Sequence, residues 1–397
     1  MSETSKSPAP APETYAQGKL DALEGLSLRR RLQETRRAGP DRAFRAGREL
    51  ISFCCNDYLN LSHHPEVCRA AIQAIERYGA GAGASRLVTG NHPLYADLEA
   101  RLAAIKGTEA ACVFGSGYLA NIGIIPAFAG ADDLIVVDEL GHACMHAGAR
   151  LSRATTRTFA HNDPDSCRAI LAAERGKHRH CLVLTEGVFS MDGDLAPLPA
   201  LSALAADFDA WLLVDDAHGF GVLGGGRGSA AHWGDGVHVP LQMGTLSKAA
   251  GAYGGYLCAA RPVIDFLVNR ARSFVYSTGL PPSVVASAIA ALDIIARDPG
   301  LTEAPVQKAR MFTSLLGLPP AESCIVPVVL GDADDALAAS ESLLEAGFLV
   351  IAIRPPTVPE GTARLRFTFS AAHRDEDIAR LVRCLRDLGL KDAGAAR

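Results

Sequence analysis

Short apolar runs alternate with longer amphipathic stretches through most of the chain from Ile51 onward. The apolar runs are AACVF, DLIVV, CLVLTE, WLLVDD, PLQMG and GYLCAA. Runs of this length are typical of buried strands, and the amphipathic stretch after each one is typical of a helix that covers a sheet. The alternation therefore predicts an α/β fold in which a mostly parallel sheet lies between layers of helices.

The two ends of the chain depart from this pattern. The first residues are rich in Pro, Ala and Ser without hydrophobic periodicity, which predicts a disordered tail. An arginine-dense stretch from Leu20 to Ala38 predicts a helix. Near the other end, the segment RDPGLTEAP around Asp298 predicts a junction between domains. The C-terminal third of the chain follows it and contains the apolar runs CIVPVVL, FLVIAIRPP and ARLRFTFS. The predicted parts are a tail (1–16), an N-terminal helical arm (17–50), a large α/β domain (51–298) and a small C-terminal α+β domain (299–397).

Composition narrows the classes of function. The chain has 397 residues, of which 48% are hydrophobic and 21% charged, as in ordinary globular proteins. A net charge of −5 argues against a nucleic-acid partner, and no apolar run is long enough for a membrane span or a secretory signal. We therefore expect a cytoplasmic protein. The ten cysteines include no CxxC pair, so no metal site is expected.

Candidate chemistry lies where predicted strands end, because ligands of α/β sheets gather there. In VFGSGYLAN, Gly115 and Gly117 precede a helix start that offers backbone N–H groups to a phosphate, although a strand-to-helix turn needs glycine for structural reasons alone. Asp215 and His218 follow WLLV, where a helix cap and an ordinary loop histidine are the structural alternatives. Lys248 stands among small residues in GTLSKAAGAYGGY, and its alternative is a surface lysine.

Together these groups favour pyridoxal 5′-phosphate (PLP) as cofactor. A lysine amine forms a Schiff base with the PLP aldehyde, and desolvation by small neighbours keeps that amine neutral and nucleophilic. A carboxylate such as that of Asp215 holds the ring nitrogen protonated, so that the ring accepts electrons. The glycines near Lys248 allow close approach of cofactor and backbone.

Several longer stretches resemble the α-oxoamine synthases, fold-type I PLP enzymes that condense an amino acid with an acyl thioester. The resemblance spans about residues 20–390. The stretches that carry it are FCCNDYLNLSHHP, GAGASRLVTGNHPLYADLEARLA, TEGVFSMDGD, VDDAHGFGVLG, TLSKA and VYSTGLPP. Within the family, IRPPTVPEGTARLRF at 353–367 most resembles the members that join L-alanine to a pimeloyl thioester in biotin biosynthesis, with loss of carbon dioxide.

The resemblance implies a role for each matched residue. Lys248 forms the Schiff base and removes the α-proton of the amino acid, and Asp215 pairs with the ring nitrogen. The resemblance also implies that His142 stacks on the PLP ring and that His218 and Ser190 lie near its phenolic oxygen. The PLP phosphate is bound by Gly117, Tyr118 and Thr245. Ser277 or Thr278 reaches the phosphate across the interface of a homodimer. Asn56 and Arg366 match groups near the amino-acid carboxylate, with Arg364 as the competitor because alternate strand positions face the same side.

Three questions stay open at the level of sequence. Related synthases share this residue set but use glycine or serine and other acyl thioesters, and TLSKAAG lacks the phenylalanine–glycine pair that many biotin-pathway members have before the lysine. A non-catalytic binding protein with the same fold is disfavoured because Lys248 and Asp215 are both present. The arginines Arg29, Arg30, Arg31, Arg36 and Arg37 form either a solvated face or a contact to an acidic group of the thioester.

Overall fold

The computed structural model describes residues 11–26 and 28–390. Its N-terminal segment forms one helix, α1 (Pro12–Gly25), and three strands, β1 (Arg36–Arg37), β2 (Arg42–Arg45) and β3 (Arg48–Ser52). The predicted helix from Leu20 to Ala38 is therefore wrong beyond Gly25. Its arginines leave no apolar stripe to bury, whereas β2 and β3 pair antiparallel around the turn at Ala46 and Gly47, both of which have positive φ.

The predicted N-terminal parts need two further corrections. Helix α1 begins at Pro12, inside the predicted disordered tail, while residues 1–10 of that tail lie outside the described residues. Strand β3 pairs parallel with a strand near the C-terminus, β12 (Phe348–Leu349). The segment that we interpreted as a helical arm thus contributes strands to a four-stranded sheet with the C-terminal part of the chain.

A seven-stranded sheet forms the centre of the molecule. Its strands are β4 (Ala110–Phe114), β5 (Leu134–Asp138), β6 (Thr155–Phe159), β7 (Cys181–Glu186), β8 (Trp211–Asp215), β9 (Leu241–Thr245) and β10 (Gly255–Ala259), in the order β4-β10-β9-β8-β7-β5-β6. Strand β10 runs antiparallel to both of its neighbours, and the other described pairings are parallel. The predicted mostly parallel sheet is confirmed. Strand β6 was missed because TTRTF forms an edge strand with mainly exposed residues.

Helices cover both faces of this sheet. They are α2 (Pro65–Tyr78), α3 (Leu94–Lys106), α4 (Gly117–Phe128), α5 (Ala143–Ser152), α6 (Pro164–Glu174), α7 (Leu198–Asp207), α8 (Ser229–Trp233), α9 (Arg261–Arg270), α10 (Arg272–Val275) and α11 (Pro282–Arg297), with 3-10 turns at Leu61–His63 and Arg175–Lys177. One core cluster packs around Tyr58, Phe220 and Tyr256, and another packs around Phe114 and Met145. Such two-sided burial explains why the strands are almost wholly apolar.

The C-terminal part follows the predicted junction at Asp298. It contains α12 (Pro299–Leu316), β11 (Ile325–Gly331), α13 (Ala333–Glu345), β12, β13 (Ile351–Ile353), β14 (Ala363–Thr368) and α14 (Asp375–Asp387). Strand β14 pairs antiparallel with both β11 and β13. A third core cluster joins this part to the N-terminal strands through Phe53, Phe312, Phe367 and Phe369. Within the described residues, no helix has both the length and the apolar character needed to cross a membrane.

Candidate active site

Lys248 lies in a loop after β9 whose backbone is closely packed. The loop is closed by hydrogen bonds from Gly251 N to Lys248 O at 2.8 Å and from Ala252 N to Leu246 O at 3.0 Å. Gly251 has φ +60°, and a Cβ there would lie 2.3 Å from the backbone nitrogen of Ser62. Only glycine fits such a position. The small residues around Lys248 thus let its loop dock against the segment that follows Tyr58.

A chain of polar groups runs from Lys248 to β14. Nζ of Lys248 lies 2.7 Å from Nε2 of His218, and Nδ1 of His218 lies 2.7 Å from the hydroxyl of Tyr58. The Tyr58 hydroxyl lies 3.2 Å from Oδ1 of Asn56, which also accepts from Nη1 of Arg366 at 3.4 Å. Except for Asn56, the residues of this chain are buried or carry a buried functional end. Lys248 is thereby connected to the two residues expected near a substrate carboxylate.

Burial sets the protonation of this chain. Desolvation lowers the pKa of Lys248 to about 8, although Asp215 and Glu186 oppose part of the effect. Burial, with the Lys248 charge second, holds the pKa of His218 well below its usual value, so the imidazole is neutral. Burial also raises the pKa of Tyr58, which stays protonated. The lysine amine is therefore partly neutral near physiological pH, as a nucleophile or base must be.

Asp215 ends β8 beside two polar residues that the sequence analysis did not assign. Asn121, fully buried on α4, donates through Nδ2 to Oδ2 of Asp215 at 2.7 Å. Glu186 ends the neighbouring strand β7 in register with Asp215. Burial, with the Asp215 charge second, raises the pKa of Glu186 well above its usual value, and its Oε1 has no hydrogen-bond partner among the described residues. Asp215 is thus the carboxylate of the pair that accepts side-chain and backbone hydrogen bonds, whereas burial favours the protonated form of Glu186.

His142 caps α5 at the entrance of the same region. Its Nδ1 accepts from the backbone N–H of Cys144 at 3.3 Å and lies 2.8 Å from Cys144 Sγ. Burial lowers the pKa of His142, so the ring is neutral. A neutral imidazole at this position presents a flat face for stacking.

Lys248, His218, Asp215, Glu186 and His142 line one cavity of about 210 Å³, which we call the Lys248 cavity. Its lining residues are Gly117, Tyr118, His142, Cys144, Glu186, Asp215, Ala217, His218, Met243, Thr245, Ser247 and Lys248. Gly117 and Tyr118 begin α4, where the first N–H groups have no partner within the helix. Hydroxyls of Thr245 and Ser247 lie beside them. An anion-binding end, a carboxylate and an amine in one cavity fit the phosphate, ring nitrogen and aldehyde of PLP.

A second cavity of about 770 Å³, which we call the outer cavity, adjoins the first at His142. It is lined by residues 139–143, His146, residues 189–192, residues 355–360 and Arg30. Arg30 donates to Oγ1 of Thr357 at 2.9 Å. The other N-terminal arginines have structural contacts: Arg29 and Arg31 pair with Glu24, Arg37 pairs with Asp57, and Arg36 stacks on Phe44. Of these five arginines, Arg30 is the one that lines the outer cavity, whereas Arg36 lines a separate cavity beside Phe44 and Arg45.

Three residues that the resemblance brings to the site, Ser190, Arg364 and Thr278, do not line the Lys248 cavity. Ser190 lines the outer cavity, and its carbonyl oxygen accepts from Nε of Arg366. Arg364 forms an ion pair with Asp192 and so is already neutralised, which leaves Arg366 as the arginine that faces Asn56. Thr278 and its neighbour Ser277 lie outside the Lys248 cavity, where Thr278 forms a β-bridge with Ser85. A role for Thr278 across a subunit interface stays a prediction.

Tyr58, Asn121 and Glu186 are the residues that sequence reasoning missed. Tyr58 and Glu186 stand inside quoted stretches, FCCNDYLNLSHHP and TEGVFSMDGD, but neither had a chemical reason to be singled out without its neighbours. The available signal was that Glu186 is the last residue of the predicted run CLVLTE, much as Asp215 stands near the end of the predicted run WLLVDD. Asn121 gave no signal, because an amide on an apolar helix is recognised only once its partner is known.

Comparison with known proteins identifies the relatives of this chain. Residues 48–385 match the model of the family described as aminotransferase class I and II. The 8-amino-7-oxononanoate synthase of Methylocella silvestris is 64% identical over 87% of this chain and 98% of its own length, and that of Beijerinckia indica is 59% identical over 93% of this chain and 96% of its own.

Solved structures of related enzymes have a fold similar to that of this chain. Serine palmitoyltransferase of Sphingomonas wittichii has a TM-score of 0.88 at 32% identity and covers 97% of this chain and 98% of its own. The 8-amino-7-oxononanoate synthase of Francisella tularensis has a TM-score of 0.73 at 25% identity and covers 86% of this chain and 98% of its own. A related serine palmitoyltransferase, from S. paucimobilis, was solved with a PLP–myriocin aldimine (TM-score 0.87, 29% identity, 95% of this chain and 98% of its own).

Proposed function

The chain belongs to the 8-amino-7-oxononanoate synthases, PLP-dependent acyltransferases within the aminotransferase class I and II family, and from this premise we propose its reaction. It joins L-alanine to a pimeloyl thioester, releasing the thiol and carbon dioxide and forming 8-amino-7-oxononanoate for biotin biosynthesis. The observation that carries this proposal is the chain of contacts from Lys248 through His218, Tyr58 and Asn56 to Arg366. A partly neutral amine and the arginine that we assign to the amino-acid carboxylate lie at opposite ends of this chain of contacts.

The amino-acid end of the proposed site is built from Asn56 and Arg366. A buried guanidinium with an amide beside it binds a carboxylate by charge and hydrogen bonds. The carboxylate is the group that alanine loses as carbon dioxide, so holding it fixes which bond at the α-carbon aligns with the ring.

The acyl end of the proposed site is the outer cavity. It opens from the Lys248 cavity at His142, so an acyl chain lying in it brings its thioester carbonyl to the amino-acid α-carbon. Proline-rich residues 355–359 and Phe189 supply apolar contacts, while Arg30 offers a positive charge. Pimelate carries a second carboxylate at its far end, and Arg30 is the group we assign to it.

PLP, when bound, supplies the electron sink that makes the α-carbon of the amino acid reactive. Asp215, held by Asn121, keeps a proton on the ring nitrogen. The Lys248 amine takes the α-proton at Nζ and later returns a proton to the product carbon. His218 stays neutral and accepts or donates hydrogen bonds at Nε2 as the lysine changes protonation. Neutral Glu186 keeps a second negative charge away from Asp215.

A substrate panel tests the proposal. The PLP-loaded enzyme is assayed for thiol release with each pairing of L-alanine, glycine or L-serine with pimeloyl-coenzyme A, pimeloyl-acyl carrier protein or palmitoyl-coenzyme A. The proposal predicts the highest kcat/KM for L-alanine with a pimeloyl thioester. Preference for serine and the palmitoyl thioester would replace it with the function named in the serine palmitoyltransferase neighbours. The comparison of the two pimeloyl donors identifies the carrier.

We also propose a homodimer, in which Thr278 of one subunit completes the phosphate site of the other. The support is geometric: Thr278 lies apart from the Lys248 cavity of its own chain, while Tyr118 beside the phosphate end is half exposed. Mixing inactive Lys248→Ala and Thr278→Val subunits tests this directly. Shared sites predict recovery of part of the wild-type activity in the mixture. Sites contained in single subunits predict no recovery.

A further inference from the structure

Two loops form facing parts of the outer cavity. The first, residues 139–143, follows β5 and carries His142. The second, residues 189–192, follows β7 and carries Phe189 and Ser190. Loops that follow different strands are not fixed relative to each other by the sheet alone. Their separation determines how wide the outer cavity is.

His161 joins these two loops from outside the cavity. Its Nδ1 lies 3.1 Å from Oδ1 of Asp138, the last residue of β5 and the base of the first loop. Its Nε2 lies 2.9 Å from Oδ2 of Asp194, just beyond the second loop. The edge of its ring also packs on Phe189, with ring centroids 4.3 Å apart and planes at 86°. The imidazole of His161 therefore contacts the base of the first loop, at Asp138, and both ends of the second loop, at Phe189 and Asp194.

Neighbouring backbone groups complete the two carboxylate sites. Fully buried Asp138 accepts from the backbone N–H groups of Leu140 at 2.9 Å and Asn162 at 3.0 Å. Asp194 accepts from Nδ2 of Asn162 at 2.9 Å. These donors carry no charge, so they do not neutralise the carboxylates of Asp138 and Asp194. The imidazole of His161 contacts both carboxylates and, when protonated, faces each with a positive charge. Among the described residues, Glu139 also contacts this histidine, through a hydrogen bond that it accepts from the backbone N–H of His161 at 2.9 Å.

The charge on His161 persists through the physiological range. Burial alone would lower its pKa, but the hydrogen bonds to Asp138 and Asp194 outweigh burial and raise the pKa to about 10. A raised histidine pKa means that the stabilisation is complete below about pH 6.5, decreases as the pH rises from there, and is lost above about pH 10. The bridge is thus an imidazolium between two carboxylates at neutral pH.

We propose that His161 is a positioning residue that sets the width of the outer cavity, and so the affinity for the acyl thioester, without acting on the amino acid. The inference rests on the proposed function, since it takes the acyl thioester as the occupant of that cavity. His161 lines neither cavity. Its effect on the acyl group passes through Asp138, Asp194 and Phe189.

The test compares two ligands on the PLP-loaded enzyme. Binding of pimeloyl-coenzyme A is measured by calorimetry without alanine, and binding of L-alanine is measured by absorbance without thioester. The variants are His161→Gln, which loses the charge, and Asp194→Asn, which removes one partner with little change in shape. His232→Gln, an exposed histidine on α8, is the matched control. We expect the Kd for pimeloyl-coenzyme A to rise roughly tenfold in both variants. We expect the Kd for L-alanine to change less than about twofold, and the control to match wild type.

Three results would overturn the inference, and they are distinguishable. If wild type binds pimeloyl-coenzyme A and both folded variants bind it equally well, His161 has no positioning role. If both ligands weaken in parallel, the bridge serves general stability only. If wild type does not bind pimeloyl-coenzyme A at all, the proposed function fails together with this inference. As a check on charge, the difference in Tm between wild type and His161→Gln must shrink as the pH is raised from 6.5 towards 10.

Discussion

Nζ of Lys248 lies 2.7 Å from Nε2 of His218, and both groups are held in the neutral or partly neutral state by burial. The contact places the amine that we propose attacks the PLP aldehyde beside an imidazole ring that carries no positive charge. Because desolvation lowers the pKa of the lysine, the amine is reactive at a pH where an exposed lysine is almost fully protonated. The chemistry of the site follows from this pair.

The first prediction concerns the rate at which PLP reacts with apoenzyme. Only the neutral amine attacks, so the rate should rise about tenfold per pH unit below pH 8 and level off above it, since the pKa of Lys248 is lowered from 10.5 to about 8. Stopped-flow absorbance between pH 6 and pH 10 measures this directly. A rate that continues to climb to pH 10 would mean that the amine has the pKa of an exposed lysine.

The second prediction concerns the charge of Glu186. Its raised pKa means that the folded state holds a proton more tightly than the unfolded state, so this group costs stability as the pH rises above 4.5. Glu186→Gln imitates the neutral carboxyl and should raise the Tm of the apoenzyme more at pH 8 than at pH 5. The same Tm gain at both pH values would contradict a neutral Glu186. Asp215→Asn is the comparison, and it should instead weaken PLP binding by disabling the partner of the ring nitrogen.

The third prediction separates the two arginines of β14. Arg366→Gln removes a charged group at the proposed carboxylate site and should raise the KM for L-alanine roughly 10- to 100-fold. Arg364→Gln breaks its ion pair with Asp192 in the outer cavity wall, so the larger change should be in the KM for the acyl thioester. Steady-state kinetics with each substrate varied in turn distinguishes the two. An alanine effect that follows Arg364 would exchange the assignments.

The fourth prediction concerns recognition of the acyl chain. Arg30→Gln should raise the KM for pimeloyl-coenzyme A, because it removes the positive charge that we assign to the acyl carboxylate. Since Arg30 is exposed and its charge is partly screened, the rise should be only about fivefold. The matched control is Arg31→Gln, which removes a neighbouring arginine paired with Glu24. Heptanoyl-coenzyme A, whose acyl chain ends in a methyl group instead of a carboxylate, should show no such dependence on Arg30. Equal effects of both substitutions would indicate a general electrostatic attraction instead of contact with the acyl carboxylate.

Most of the central sheet could be predicted from sequence because its strands are buried on both faces and therefore read as continuous apolar runs. Strand β6 escaped because it lies at an edge and carries Thr156, Arg157 and Thr158 towards solvent. The N-terminal arm was misread because arginine has good helix propensity, while the pairing of β3 with β12 depends on residues about 300 positions away. Local propensity carries no information about such distant pairing.

The site divides in the same way. Asp215 and Lys248 were found because parallel strands bring their carboxyl ends to one edge of a sheet, whatever the details of packing. Glu186 and Asn121 lie beside Asp215 because of how their side chains are oriented. Tyr58 contacts His218, which is 160 residues away in the sequence. Those relationships need coordinates. Coordinates were also needed to compare Arg364 with Arg366: Arg364 forms an ion pair with Asp192, whereas Arg366 contacts Asn56, and for this reason we propose Arg366 for the substrate carboxylate.

In the proposed reaction, carbon–carbon bond formation on alanine is coupled to release of the thiol and of the alanine carboxyl group. The most direct test supplies the PLP-loaded enzyme with L-alanine labelled with ¹³C at the carboxyl carbon, together with pimeloyl-coenzyme A. Labelled carbon dioxide, free thiol and product are then measured in the same reaction. We expect equal amounts of all three and an unlabelled product with the mass of 8-amino-7-oxononanoate. Thiol release without labelled carbon dioxide, or a product that keeps the label, would contradict it.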